Sequence, residues 1–195
     1  MHWPYTKRPD GRIAITLDNN VWDFLFDRGI DLASELPSED FAVFITREVE
    51  IEGSAMPDDP SKTALEGYIA QAISSCDIQT TSVFGFASPD PGPQRVGGFG
   101  HWTWQSRTES EFYAAIRARF LVGKRETESQ LTQNEADAAV AAQSHFSIAL
   151  ICERPNKTGP LRFASEHGGM ILYLEDFDTS GLTLKAFITA CYRRM

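Results

Sequence analysis

Four acidic side chains in this sequence have types and spacings suited to holding one metal ion together. Asp18 directly follows one apolar segment and Glu153 directly follows another, while Glu52 lies about one helical turn after a third. Asp137 stands in the first turn of an alanine-rich helical stretch. Carboxylate oxygens suit hard cations such as Mg²⁺ or Mn²⁺. Carboxylates that converge without a cation repel one another, so a shared site predicts a bound ion.

Each of these acids also has a structural interpretation that the sequence leaves open. Asp18 precedes a helix, so its side chain would cap that helix, hold a metal ion or act in acid–base chemistry. Glu52 would lie on a solvated helix face. Asp137 would stabilise the positive end of its helix dipole, and Glu153 would be a turn residue. The four histidines are scattered along the chain, which argues against zinc.

Apolar segments that alternate with helical stretches predict the elements that position these acids. Buried strands are predicted at 13–17, 41–45, 147–152 and 170–174, with a further strand or extended segment at 78–86. Helices are predicted at about 20–28, 61–75, 109–122, 133–145, 160–167 and 182–192. This alternation is typical of a three-layer α/β/α fold with a central, mainly parallel sheet. The carboxyl ends of parallel strands share one edge, so we expect the four acids to meet there.

The predicted helices carry capping signals and one long interruption. Three pairs have the spacing of a capping box: Thr63 and Glu66, Thr108 and Glu111, and Thr132 and Glu135. The stretch 87–100 is rich in Pro and Gly, which excludes regular structure and indicates either a loop over the site or a plain connection. We interpret it as an insertion within one domain that spans 1–195.

Composition restricts the classes of function. A net charge of −9 argues against broad, sequence-blind binding of nucleic acid, which needs a basic surface, although a local basic rim remains compatible with it. The three cysteines are widely spaced and odd in number, which favours a reducing, cytoplasmic compartment. The first residues are polar and resemble no signal peptide. No apolar run has the ~18–20 residues that span a membrane, so we expect no membrane partner.

Other polar and aromatic residues would contact a nucleic acid substrate. The basic residues near the predicted helix 109–122 would bind backbone phosphates, or would only form a solvated helix end; they are Arg117, Arg119, Lys124 and Arg125. Asn19 and Asn20 would orient water or a ligand, or cap the following helix. Trp102 and Trp104 would stack on an unpaired base, or pack into the core.

The chain resembles the PIN and PIN-like nuclease domains at four stretches. They read ITLDNNVWDFLF, FAVFITREVEIEG, NEADAAVAAQSH and IALICERPNKTGPLRFASEHGGMILYL. The resemblance covers roughly two-thirds of the chain and leaves an enlarged insert around 77–130. Carried over by position, Asp18, Glu52 and Asp137 match the three principal acids of that family. Glu48 or Glu50 would take the place of Glu52 if the register of this helix shifts.

The resemblance implies a ribonuclease that uses Mg²⁺ or Mn²⁺ to hydrolyse phosphodiester bonds in RNA. Metal ligands would be Asp18, Glu52 and Asp137, and either Glu153 takes the place of the family's last acid or the site has only three acids. Asn19 would contact the substrate. The family further implies an inhibitor protein of the toxin–antitoxin kind and a homodimer as partners. Two alternatives stay open. One is a PIN-like scaffold with a decayed site, and the other is a doubly wound domain of another kind, such as a flavodoxin-like regulator.

Overall fold

A central sheet of five strands organises the protein, which we describe from a computed structural model. The structure describes residues 2–3, 5–55, 60–81, 83–84, 96–97, 107–121, 129–152 and 157–194. The strands are β1 (Ile13–Leu17), β2 (Phe41–Thr46), β3 (Gln79–Thr81), β4 (Val83–Phe84), β5 (Val96–Gly97), β6 (Ile148–Ile151) and β7 (Ile171–Tyr173). The helices are α1 (Val21–Asp27), α2 (Leu32–Glu35), α3 (Arg47–Ser54), α4 (Thr63–Ser75), α5 (Arg107–Phe120), α6 (Glu135–Gln143), α7 (Pro160–Glu166), α8 (Phe177–Ser180) and α9 (Leu184–Arg193).

Strand β1 lies at the centre of the main sheet, whose order is β3-β2-β1-β6-β7. It pairs in parallel with β2, where Ile15 lies opposite Val43, and with β6, where Thr16 lies opposite Ala149. The other neighbours are also parallel, which confirms the predicted parallel sheet. Numbered along the chain within this sheet, the order is 3-2-1-4-5, which differs from the flavodoxin-like order 2-1-3-4-5 but is shared with the classic doubly wound fold, so a doubly wound domain of another kind stays open. Strands β2 and β3 lie on one side of β1, and β6 and β7 lie on the other side. The strand order therefore reverses at β1, and ligands bind at such switch points.

Helices cover both faces of the sheet and complete the predicted three layers. On one face, Leu25 of α1 and Ile188 of α9 are completely buried in a core that includes the apolar side chains of β1. On the other face, Ala138 and Val140 of α6 pack with Phe112 of α5. The short alanine side chains of α6 let this helix lie close to its neighbours. Burial of apolar surface on both faces makes the sheet a rigid support for residues at its edges.

Helix α6 begins later than the sequence predicts because of its backbone. Asn134 has a left-handed conformation, with φ of 66°, so the helix begins at Glu135. The carboxylate of Glu135 accepts hydrogen bonds from the backbone N–H of Thr132 at 2.7 Å and from its hydroxyl at 2.8 Å. The bond from the backbone N–H of Thr132 to the Glu135 side chain therefore forms as in the predicted capping box. The Thr132 hydroxyl, in contrast, donates to Glu135 instead of accepting a hydrogen bond from the backbone.

Helix α4 does not begin with the predicted box of Thr63 and Glu66. Its N-cap residue is Lys62, which makes no side-chain capping bond. The hydroxyl of Thr63 instead donates to the carbonyl of Pro60 at 3.2 Å, at the end of a short 3-10 turn. A prolonged turn before the helix thus replaces the side-chain cap.

Several predictions on the insert lie outside the described residues. Of the loop predicted at 87–100, Val96 and Gly97 are described; they form β5, which pairs in parallel with β4, so the prediction that this stretch has no regular structure is wrong at these two residues. Trp102 and Trp104 lie outside the described residues. Strands β3 and β4 occupy part of the segment predicted as extended at 78–86. Within the described ranges, none of the helices combines the length and the apolar character that a membrane crossing requires.

Candidate functional site: an acidic cleft at the carboxyl edge of the sheet

Asp18 is positioned by the central strand of the sheet. Strand β1 ends at Leu17, and the backbone N–H of Asp18 still donates to the carbonyl of Leu150 in β6, at 3.2 Å. The residue is only 4 % exposed. A side chain held by a buried strand keeps a fixed direction, which suits ligand binding better than a position on a loop.

Asp18 borders a cleft of about 400 Å³, which we call the acidic cleft. Its charged lining residues are Asp18, Asp23, Glu52, Glu135, Asp137 and Lys157. Polar residues of the turn before α6 and the amides that follow β1 complete the wall. The structure therefore brings together the three described acids that the sequence singles out, from β1, α3 and α6. Five carboxylates against one ammonium group make the cleft attractive to cations.

Asn20 joins the two strands on either side of the switch point. It is the N-cap residue of α1, yet its side chain makes no capping hydrogen bond. Its Oδ1 accepts instead from the backbone N–H of Cys152, at 3.1 Å. The capping interpretation of Asn20 is therefore wrong. Asp18 lies before the N-cap position, and Asn19 lines the acidic cleft.

Helix α3 carries three glutamates in different surroundings. Glu52 lines the acidic cleft. Glu50 accepts a hydrogen bond from Arg47 at 2.6 Å and lines a neighbouring groove. Glu48 is 8 % exposed and does not line the cleft. Of the three glutamates that the sequence leaves open, the structure thus selects Glu52 for the cleft.

The turn before α6 positions the third acid. The side-chain N–H of Asn134 donates to the carbonyl of Phe120 at 3.4 Å, which ties this turn to the end of α5. Glu135 is engaged with Thr132, so its carboxylate holds the turn in shape. Asp137 follows in the first turn of α6 and is half-buried at the cleft wall. Residues of two distant segments therefore fix the position of Asp137.

The pKa of Cys152 is influenced by burial and by the carboxylate of Asp18. Burial, together with the Asp18 carboxylate nearby, raises the pKa of the Cys152 thiol to about 11. Such a thiol stays protonated near neutral pH and is a poor nucleophile. Covalent catalysis by Cys152 is therefore disfavoured, which leaves the carboxylates as the chemically interesting groups of the cleft.

Sequence reasoning missed Asp23 and Lys157. Asp23 lies four residues after Asn19, a spacing that places both on one side of a helix start and was a usable signal. Lys157 lies between β6 and α7, and its place after a strand of the parallel sheet was a second signal. Only the fold shows that this lysine reaches the same cleft as Asp18.

The two described arginines of the predicted phosphate-binding group lie outside the cleft wall. Arg117 and Arg119 are exposed in the last turn of α5. The guanidinium carbon of Arg119 lies 5.3 Å from the ring centre of Phe120 and 5.4 Å from that of Phe163. Because Asn134 of the cleft binds the carbonyl of Phe120, this end of α5 adjoins the cleft. A role for both arginines in binding the substrate stays a prediction.

Two features of the cleft bear on the predicted metal site: the type of ligand atoms and the arrangement of the side chains that carry them. The oxygen ligands of the cleft suit a hard cation. Within the part of the chain that the structure describes, however, no group of three or more His, Cys, Asp or Glu side chains is arranged to hold a metal ion. Glu153, Lys124 and Arg125 lie outside the described residues. The donor chemistry therefore fits Mg²⁺ or Mn²⁺, while the side-chain positions do not form a finished ligand set.

Comparisons with known proteins add no relative. No protein-family model matches the chain, and comparison with curated proteins and with solved structures gives no match. The resemblance to PIN domains therefore rests on the short motifs of the sequence. The acidic cleft rests on geometry alone, as a polar cavity at the switch point of a parallel α/β sheet.

Proposed function

We propose that the acidic cleft is the active site of a ribonuclease that hydrolyses phosphodiester bonds of RNA and depends on Mg²⁺ or Mn²⁺. One observation carries the proposal. Asp18, Glu52 and Asp137 come from three separate elements and line one cleft beside the central strands. Carboxylates collected from distant segments repel one another unless positive charge is bound among them. The PIN-like motifs single out the same three acids and support this reading.

The residues of the cleft have distinct parts in this proposal. Asp18, Glu52 and Asp137 would hold the cation through oxygen atoms. A bound divalent cation supplies positive charge for a phosphate oxygen and lowers the pKa of a bound water. Lys157 adds a positive charge at the cleft wall, where it would attract the phosphate. Arg117 and Arg119, at the end of α5, would contact the nucleic acid backbone further along.

A second candidate function is a PIN-like binding module whose site has decayed. The arrangement of the described acids favours it, because they form no finished metal site. The net charge of −9 also weakens general attraction to RNA. In this case the cleft would bind a cationic group of a partner, such as the inhibitor protein that the resemblance implies, and no cleavage would occur.

A cleavage assay separates the two candidates. Purified protein is incubated with a broad panel of single-stranded and structured RNAs in Mg²⁺, in Mn²⁺ and in chelator. The nuclease proposal predicts cleavage in either metal and none in chelator. Asp18→Asn should lower the rate by at least about 100-fold, since even residues behind metal ligands cost 10–100-fold. Asp27→Asn on the exposed end of α1 is the matched control and should keep full activity.

The binding-module candidate predicts a different set of results. The wild-type protein would cleave no RNA of the panel under any metal condition, and Mn²⁺ would not raise its melting temperature. Equal rates for Asp18→Asn and Asp27→Asn would also refute the nuclease proposal, because a contaminating enzyme would then explain the activity. Circular dichroism of each variant checks that a loss of rate does not follow from unfolding.

A further inference from the structure

A second cavity adjoins the acidic cleft and differs from it in character. It has a volume of about 320 Å³ and lies between α1, α3 and α4. We call it the apolar groove; its apolar lining residues include Trp22, Ile45, Val49, Leu65, Ile69 and Ile73. The volume lies within the range of small-molecule sites, which are concave and mainly apolar with a few polar groups.

The groove and the cleft form one continuous surface. Asn19 and Asp23 line both cavities. Both residues follow β1 closely, so the boundary between the cavities lies just beyond the central strand. A ligand with a phosphate in the acidic cleft would therefore place its neighbouring group in the groove.

The groove is open on the side of α4. Ala72 is the residue of this helix that is fully buried, whereas Ile73 is 37 % exposed at the groove. A small residue of α4, Ala70, is exposed at the groove wall. An exposed apolar surface of this kind beside a polar cleft marks a binding site for an apolar group.

The rim of the groove is acidic, which restricts the ligand. Three carboxylates, those of Asp23, Glu50 and Glu66, line it beside one ammonium group, that of Lys62, and Arg47 holds the Glu50 carboxylate at 2.6 Å. Ionised carboxylates accept hydrogen bonds and donate none, so they pair with N–H groups and repel phosphate. An occupant therefore needs apolar faces and N–H donors on its edge. A nucleobase has both, and guanine carries two adjacent N–H groups that match a carboxylate.

We propose that the apolar groove binds an unstacked nucleobase of single-stranded RNA, guanine in preference, beside the phosphodiester group in the acidic cleft. The proposal rests on the function proposed above and assigns the substrate class of that site. Sequence-specific binding of RNA generally targets bases that are splayed out of single strands and bonded along their edges. The groove would thus select the nucleotide next to the bond that is cleaved.

The test uses binding without metal, so that it does not depend on cleavage. Guanosine, uridine and inorganic phosphate are titrated separately into the protein in chelator, with NMR chemical shifts as the readout; the nucleosides carry the base without a phosphate that the metal-free carboxylates would repel. Ala70→Trp fills the groove from an exposed position of α4. Ala64→Trp makes the same change at an exposed position of that helix outside the groove lining and is the matched control.

Guanosine should bind to wild type and to Ala64→Trp alike, and roughly tenfold more weakly to Ala70→Trp, as expected for loss of one stacked base. Inorganic phosphate should not shift groove residues. Failure of guanosine to bind, or equal binding by both variants, overturns the proposal even if RNA is cleaved. Equal affinity for uridine overturns the preference for guanine. A dimer that Ala70→Trp dissociates would identify the groove as a self-association surface and also overturn it.

Discussion

The two ends of strand β1 carry acids in contrasting surroundings. Before the amino end, Asp10 accepts hydrogen bonds from the side chains of Arg8 and Arg12, at 2.7 and 3.0 Å for the shortest bond of each. The Arg8 hydrogen bond is the largest cause that holds the pKa of Asp10 well below its usual range. At the carboxyl end, Asp18 is buried and shares its cleft with acids from α3 and α6.

The contrast separates a structural acid from a candidate functional one. Asp10 is neutralised by residues two positions away in the sequence, so it stabilises a local turn. Asp18, Glu52 and Asp137 come from segments that only the fold brings together, and they line one cleft. Acids that the fold collects in this way are candidates for ligand binding, whereas Asp10 stabilises its own turn.

The largest change in the free energy of unfolding is expected for substitutions of the apolar residues at the two ends of β1. Leu17 is fully buried beside Asp18, while Ile13 at the other end is only partly buried. Leu17→Ala should lower the free energy of unfolding by about 2–5 kcal/mol, because it leaves a cavity in the core. Ile13→Ala should lower it by clearly less. Urea denaturation measures both values, and equal losses would contradict the difference in burial between the two ends of the strand.

The second largest effect is expected from binding of Mn²⁺ to the acidic cleft. If the acidic cleft binds Mn²⁺, a hundredfold excess over the Kd stabilises the protein by about 2.7 kcal/mol, which raises the melting temperature by about 5–10 °C for a chain of this size. Wild type and Asp10→Asn should show this rise in thermal melts. Asp18→Asn should lose it, and in chelator it should be as stable as wild type or more stable, since repulsion among the carboxylates is relieved. A rise that Asp18→Asn retains would place the ion elsewhere.

The positions of the strands are predictable from the sequence. Uninterrupted apolar segments such as Ile13–Leu17 and Phe41–Thr46 indicate buried strands, and both appear at the expected positions. The acids Asp18 and Glu52 were found because strand ends of a parallel sheet meet at one edge. Helix starts were less predictable: the left-handed backbone of Asn134 is a local conformation that capping patterns do not reveal.

The remaining features depend on tertiary packing. Apolar spacing predicts that α4 has an apolar face, but it does not predict that Ile73 stays 37 % exposed beside a groove. Lys157 lines the acidic cleft although it lies far along the chain from Asp18, Glu52 and Asp137. In the sequence His145 is one of four scattered histidines, yet in the fold it is fully buried, with its ring centre 4.3 Å from that of Phe112. Sequence spacing does not contain these contacts, because they join distant segments.

His145 gives a pH-dependent prediction at the amino side of β1. Its Nδ1 bonds the carbonyl of Trp3 at 2.9 Å, and among the described residues its Nε2 is a buried nitrogen without a hydrogen-bond partner. Burial is the largest cause that lowers its pKa from 6.5, and the nearby His2 and His167 lower it further. The folded protein therefore resists protonation of His145, whereas the unfolded chain takes up the proton.

Because the unfolded chain protonates His145 more readily than the folded protein does, the protein should lose stability in acid. Stability from neutral His145 is fully present above pH 6.5 and declines as the pH falls below that value. Thermal melts of the wild type from pH 8 to pH 5 should show this decline. His145→Phe should flatten it, while His167→Phe at a half-buried position should retain most of it. A wild-type melting temperature that stays constant over this range would refute the prediction.

The smallest effect is expected for Asp10, despite its several hydrogen bonds. Exposed ion pairs contribute little to stability because water and salt screen them. Asp10→Asn should therefore shift the melting temperature at pH 7 by an amount near the error of measurement. Because the pKa of Asp10 is lowered, whatever its pairs contribute is present above 3.8 and is lost as the pH falls below that value. The small difference between wild type and variant should then vanish in acid and also in 1 M salt. A loss as large as that of Leu17→Ala would mean that the turn at Asp10, rather than the core behind Asp18, anchors the strand, and the contrast between the two ends would be reversed.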